Sequence, residues 1–144
     1  MTERPLDAAV SETSLNNQQK VLAFAAIVEA GTGLALTVAP AVVVFLLVGA
    51  ELSGVGVVLG RCFGITLVAL GLACWPRGQR AGGSPAFRGM LAYNVLIALY
   101  LAYLGMSGQG RGFLLWPAAA LHAAVALLLA WTWQGERWQK AIGK

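Results

Sequence analysis

Four apolar runs, each close to twenty residues long, constrain this chain more than any other feature of its sequence. They cover about 21–39, 55–75, 87–106 and 113–133. The hydrocarbon layer of a bilayer is ~30 Å thick, and ~20 helical residues are needed to cross it. No water reaches backbone N–H and C=O groups inside that layer, so each crossing must satisfy its own hydrogen bonds as a helix. The pattern predicts an all-α polytopic membrane protein, a bundle of four transmembrane helices. Composition agrees, with hydrophobic residues at 58% and charged residues at 11%, against ~45–50% and ~25% in a soluble domain. So few polar groups could not cover a water-facing surface, whereas lipid is the right solvent for such a surface. A chain of 144 residues has room for one such domain.

The segments between the runs set the expected organisation. Residues 1–20 are polar, carry Glu3, Arg4, Asp7, Glu12 and Lys20, and have no apolar stretch after a basic start. They read as a solvated cytoplasmic leader without a cleavable signal, which leaves the first helix as the insertion signal. The first run stops at Pro40, because proline disfavours helical geometry at the residue before it. AVVVFLLVG at 41–49 is too short to span and is followed at once by Glu51, Ser53 and Gly54. It is expected to be a short interfacial or re-entrant piece, the alternative being a kinked continuation of the first helix. Residues 134–144 form a basic tail.

Charge sets the orientation. Arg4, Lys20, Arg77, Arg80, Arg88, Arg137, Lys140 and Lys144 flank the runs on one side, leaving Arg61 and Arg111 for the other, eight against two of the ten basic residues. Positive segments stay in the cytoplasm, so both termini are expected there, in a bacterial inner membrane. The net charge of +4 is dispersed among these flanks and forms no patch for nucleic acid, while the lipid bilayer is the expected partner. Trp75, Trp116, Trp131 and Trp133 fall at predicted helix ends, where an apolar ring with one N–H suits the interface. Pro117 falls in the first turn of the last helix, where its missing N–H costs least.

Helices in lipid gain no hydrophobic advantage from touching, so close packing and buried hydrogen bonds must hold them. Gly56, Gly60 and Gly64, with Gly71 further on, share one face of the second crossing. Ala26, Ala30 and Gly33 give the first crossing a similar face, and Ala118, Ala119, Ala123, Ala126 and Ala130 do so for the last. Such faces point to tight helix contact, within the chain or through a homo-oligomer or another membrane protein. Cys62 and Cys74 lie twelve residues apart, ~18 Å along a helix, too far for a disulfide.

Ionisable groups at bilayer depth are costly and are candidates for function. Glu29 falls near the middle of the first crossing and His122, the lone histidine, near the middle of the last. Glu29 has three open states: a bridge to Arg61 that fixes helix register, a proton- or cation-binding role, or a neutral hydrogen-bonded carboxyl. His122 reads as a buried imidazole bonded to a neighbouring helix, or as the partner of Glu29 at similar depth. On the third crossing Tyr93 and Tyr100 share a face with Asn94 beside it, and Tyr103 follows. Glu29, Arg61, Asn94, Tyr100 and His122 form the candidate intramembrane polar cluster. Thr37 and Thr66 are expected to bond to their own helix backbones. One histidine with no second ligand group gives no metal or haem site, and no catalytic motif is present. No catalytic residue, metal or cofactor is therefore expected.

LTVAP at 36–40, LGRCFG at 59–64 and ALGLA at 69–73 resemble, in their order, landmarks of the DoxX-like group of small four-helix bacterial membrane proteins. That resemblance implies architecture more than chemistry; the glycine face and the lack of a catalytic constellation lead to the expectation of a non-enzymatic membrane protein, an accessory subunit or DoxX-like component. Links of some members to redox or quinone-associated complexes make such a subunit an alternative expectation. A single glutamate in the first helix is also similar to the small multidrug transporters, which implies a small proton-coupled carrier using Glu29. The 41–49 segment, Arg61 and the charge bias depart from that second pattern.

Overall fold

A computed structural model of the chain describes residues 5–76 and 83–142, with side chains described over 16–76 and 83–135. Five helices follow in order: α1 (Pro5–Val38), α2 (Pro40–Val48), α3 (Val55–Ala73), α4 (Pro85–Met106) and α5 (Leu115–Ile142). Among the described residues there is no strand. Asn16–Val38, Val55–Ala73, Pro85–Met106 and Leu115–Gly135 are long and apolar enough to cross a membrane. The protein is an all-α, four-crossing bundle, and α2 is the extra short element.

The first crossing breaks where proline requires it. Ala39 has φ −134° and ψ 61°, outside the helical region, and Pro40 opens α2. Ala39 still donates to Ala35 at 2.8 Å, while its own carbonyl accepts from Val43 at 3.2 Å. One residue thus separates two helices, and the continuous kinked helix does not form. α2 ends at Gly49, whose left-handed φ of 77° costs glycine nothing. The carbonyls of a helix's last turn need outside donors. Arg111 N–H bonds to Val48 O and Leu114 N–H to Leu46 O, both at 2.8 Å, so the α4–α5 loop caps α2. Gly112 lies so close to the Leu46–Leu47 backbone that any side chain there would overlap it.

At the other end, Ser84 caps α4 by accepting from Phe87 N–H at 3.2 Å, and Pro85 occupies the first turn. Both are favoured at these positions, because the serine oxygen satisfies one first-turn N–H and proline has none to leave open. The leader departs from expectation: α1 already begins at Pro5, and Gln18, expected to be solvated, is 0% exposed. Its Nε2 donates to Thr132 O on α5 at 2.7 Å. That partner is 114 positions away, so the polar composition around Gln18 could not show it. The orientation expectation draws on Arg4, Arg77, Arg80, Arg137, Lys140 and Lys144, whose side chains lie outside the described residues.

α1 packs most extensively on α3, α4 packs on α5, and α1 against α5 joins the two pairs. The glycine face explains the first pairing. A Cβ added to Gly64 would meet Gly33 O and Thr37 Oγ1 at 2.6 Å, and one added to Gly71 would meet Ala26 O at 2.7 Å. Gly60 backs onto Pro40, and Gly56 onto Leu52 of the preceding loop. The expected faces on α1 and α3 are therefore each other's partners within one chain. Thr37 and Thr66 bond back to Gly33 O and Cys62 O, as their type predicts.

Two apolar layers fill the bundle. One joins Leu22, Ala25 and Ala26 of α1, Cys74 at the end of α3, Phe87 and Met90 of α4, and Val125 and Leu129 of α5. The other is smaller: Leu101, Leu115 and Ala119, with Leu47 of α2 packed on it. A polar layer lies between them.

Candidate functional site

The polar layer is built from three core positions. Along α1 the inward stripe runs Leu22, Ala26, Glu29, Gly33, Leu36, all buried and spaced at three or four residues as one helix face requires. On α4 the stripe is Phe87, Met90, Asn94, Leu101, and on α5 it is Leu115, Ala119, His122, Ala126, Leu129. Glu29, Asn94 and His122 each replace an apolar residue at an inward position, so helix geometry turns all three toward one another. They are 1%, 1% and 8% exposed.

His122 Nδ1 lies 2.9 Å from Asn94 Oδ1 and 3.6 Å from Glu29 Oε1. The Asn94 amide donates through Nδ2 to Met90 O at 3.0 Å. A carbonyl can only accept, so this bond fixes which way the amide points and presents Oδ1 to the histidine. Oδ1 likewise only accepts. Nδ1 must therefore carry a hydrogen, and that N–H faces two acceptors, the near amide and the more distant carboxyl. The edge of the Tyr93 ring closes the side, with ring centroids 5.9 Å apart and planes at 78° to His122.

Glu29 is the unusual member. Both carboxyl oxygens are buried without a hydrogen-bond partner among the described residues. The Tyr93 hydroxyl interacts with the carboxyl as a hydrogen-bonding side chain, without reaching full hydrogen-bond geometry. An isolated carboxylate at such a place forfeits several kcal/mol of hydration. Two arrangements keep the pair neutral: a protonated Glu29 beside neutral His122, or a carboxylate beside an imidazolium. They hold the same number of protons and, with Nδ1 already protonated, differ in whether the other proton sits on the carboxyl or on Nε2. The chemistry available here is the gain and loss of a proton.

Two members of the expected cluster lie elsewhere. Arg61 is exposed and forms no bridge to Glu29. It follows Gly60 by one residue and precedes Gly64 by three, so it is rotated roughly 60–100° off the face that meets α1. Its long side chain suits a reach toward the headgroups. Tyr100 is 57% exposed; it shares a stripe with Tyr93, but a shared stripe is buried only where a neighbour covers it. Tyr93 takes its place. Tyr93 was already placed on that stripe by its spacing; Gln18 is the buried polar residue not expected, and the sequence carries no signal for it. Cys74 is buried and bonds to Ala86 O at 3.4 Å, Cys62 is exposed, and both thiols are free. Among the described residues no three His, Cys, Asp or Glu side chains gather as metal ligands.

Fold and site together define a class: a four-crossing membrane protein with a carboxyl–imidazole–amide centre at mid-bundle. Comparison with protein families, characterised proteins and solved structures finds no match.

Proposed function

We propose that this chain is a non-enzymatic, proton-coupled protein of the bacterial inner membrane, with Glu29 and His122 as the proton-exchanging pair and both termini in the cytoplasm. One observation carries the reading: a carboxyl 1% exposed and 3.6 Å from an imidazole, with neither oxygen in a full hydrogen bond among the described residues and the Tyr93 hydroxyl beside it. A purely structural polar contact would be expected to satisfy its carboxyl, because an unmade buried hydrogen bond costs about 1–3 kcal/mol. Leaving the carboxyl open keeps it ready to change protonation state. In proteoliposomes carrying a pH-sensitive dye, Glu29→Gln should abolish proton uptake and release while leaving the detergent-solubilised bundle folded. An unchanged proton signal in that variant would end this reading.

The accessory-component reading, in line with the DoxX-like resemblance, draws on a different observation. α1 starts at Pro5, well before the apolar run at about 21–39, and α5 runs to Ile142, past the end of the apolar run at about 133. Both helices thus carry polar sequence at the same end of the bundle. Two adjacent helical extensions would give a partner subunit a place to dock. Since Gly64 and Gly71 are already seated on α1, Gly60 on Pro40 and Gly56 on Leu52, a partner helix in the bilayer would use another face. Removing residues 5–15 should release a co-purifying subunit while leaving the bundle intact, and retention of the subunit would argue against this docking.

A further inference from the structure

The two ends of the bundle close over the Glu29–His122 centre in different ways. Toward the α1 N-terminal end, eight buried residues from α1, α4, α5 and the end of α3 form a continuous layer. Beyond it Phe87 meets Trp133 edge-on at 6.4 Å, and Gln18 ties α1 to α5. That end is held by whole helices crossing the bilayer. Toward the other end, the buried cluster between α4 and α5 is smaller, Leu101, Leu115 and Ala119, beside Gly33 and Leu36 of α1 and Gly64 of α3. The cover of that cluster includes Leu47 of α2.

α2 is a nine-residue helix hinged at Ala39 and Gly49, and it is held to the α4–α5 loop by the Arg111–Val48 and Leu114–Leu46 backbone hydrogen bonds. Gly112 lets the two backbones touch. Gly49 lies against them too, since a Cβ there would meet Arg111 C and Gly112 N at 3.1 Å.

We propose that α2 and the 107–114 loop form a latch, and that the Glu29–His122 centre exchanges with the α2 end of the bundle when this latch opens. The proposal rests on the proton-binding reading of that centre. Two backbone hydrogen bonds, the Leu47 cover of the small α4–α5 cluster and the Pro40 contact with Gly60 hold this short element, and it can open locally without unfolding any crossing helix, as elements with few buried contacts do. The larger layer has no such short element to release. Access is therefore one-sided.

Thiol labelling tests this with the full chain in oriented vesicles. In a background with Cys62 and Cys74 replaced by alanine, reporter cysteines are placed at Ala119 in the small α4–α5 cluster and at Ala126, one turn past His122. A charged, membrane-impermeant thiosulfonate is added from either side. The Ala119→Cys reporter should react from the α2 side alone, and the Ala126→Cys reporter should be protected from the opposite side. Gly112→Ala and, independently, Gly49→Ala should each speed Ala119→Cys labelling on the order of tenfold, the effect of weakening two hydrogen bonds. Using both variants, with melting in detergent as a check on folding, separates an opened latch from a collapsed bundle. Labelling of the Ala126→Cys reporter from the α1 N-terminal side, or unchanged Ala119→Cys rates in both folded variants, would overturn the latch. Thiol modification reports access whether or not Glu29 titrates, so this failure is distinct from a failure of the proton reading.

Discussion

At Asn94 one amide decides the tautomer of His122, because its Nδ2 is committed to Met90 O and leaves only an acceptor for Nδ1. Asn94→Ala removes that acceptor and should destabilise the bundle by about 1–3 kcal/mol, measured by thermal or denaturant unfolding in detergent. It should also let the Nδ1–H turn wholly to Glu29, which a nitrogen-resolved NMR spectrum of His122 would show. Glu29→Gln keeps the shape and removes the charge, so its stability should stay within about 1 kcal/mol of the parent. Gln18 offers a contrast: its Nε2 is bonded, but its Oε1 is buried without a partner. Gln18→Leu loses one hydrogen bond and relieves one unmet acceptor, so unfolding should show a change of no more than about 1 kcal/mol. Depth in an apolar run marked Glu29 and His122 from the sequence, since charge inside hydrocarbon needs a reason. Which cation-bearing residue faced Glu29 was left open between Arg61 and His122, and His122 is the one beside it. Arg61 has the right chemistry on the wrong side of α3, and one residue of helix rotation separates the two outcomes.

At the scale of the element, the glycine face was legible in full as a surface, but its partner was not. Four-residue spacing says only that a backbone can come close. Gly33 against Gly64, and Ala26 and Ala30 against Gly71, supply the answer from within the chain. Gly64→Leu should be the most disruptive of these changes, because a Cβ alone already overlaps Gly33 O and Thr37 N. Overpacking typically costs about 1–3 kcal/mol and can cost more against backbone, and loss of the folded peak in detergent gel filtration would report it. Gly31, where an added Cβ meets nothing, is the control, and Gly31→Ala should leave that profile unchanged. The break before Pro40 was equally legible, because proline acts on its immediate neighbour. The helical start at Pro5 was not, since polar residues flanking a crossing are compatible with either coil or helix.

Across the whole molecule, the four crossings follow from length and hydropathy because lipid allows so few alternatives. Their pairing, α1 with α3 and α4 with α5, follows from side-chain shape at particular heights and had to be seen. The resulting core alternates apolar, polar and apolar layers, and buried polar layers are tolerated only when they serve register or chemistry. Tags at the two ends should report from the same compartment, the arrangement that four crossings require. Glu29 and His122 holding one exchangeable proton between them is the claim on which the function rests. Infrared difference spectroscopy of the lipid-embedded protein across a pH step measures it directly through the C=O stretch of a protonated carboxyl. The account predicts a carboxyl band that disappears in Glu29→Gln and shifts in His122→Gln; a difference spectrum unaffected by either substitution would contradict it.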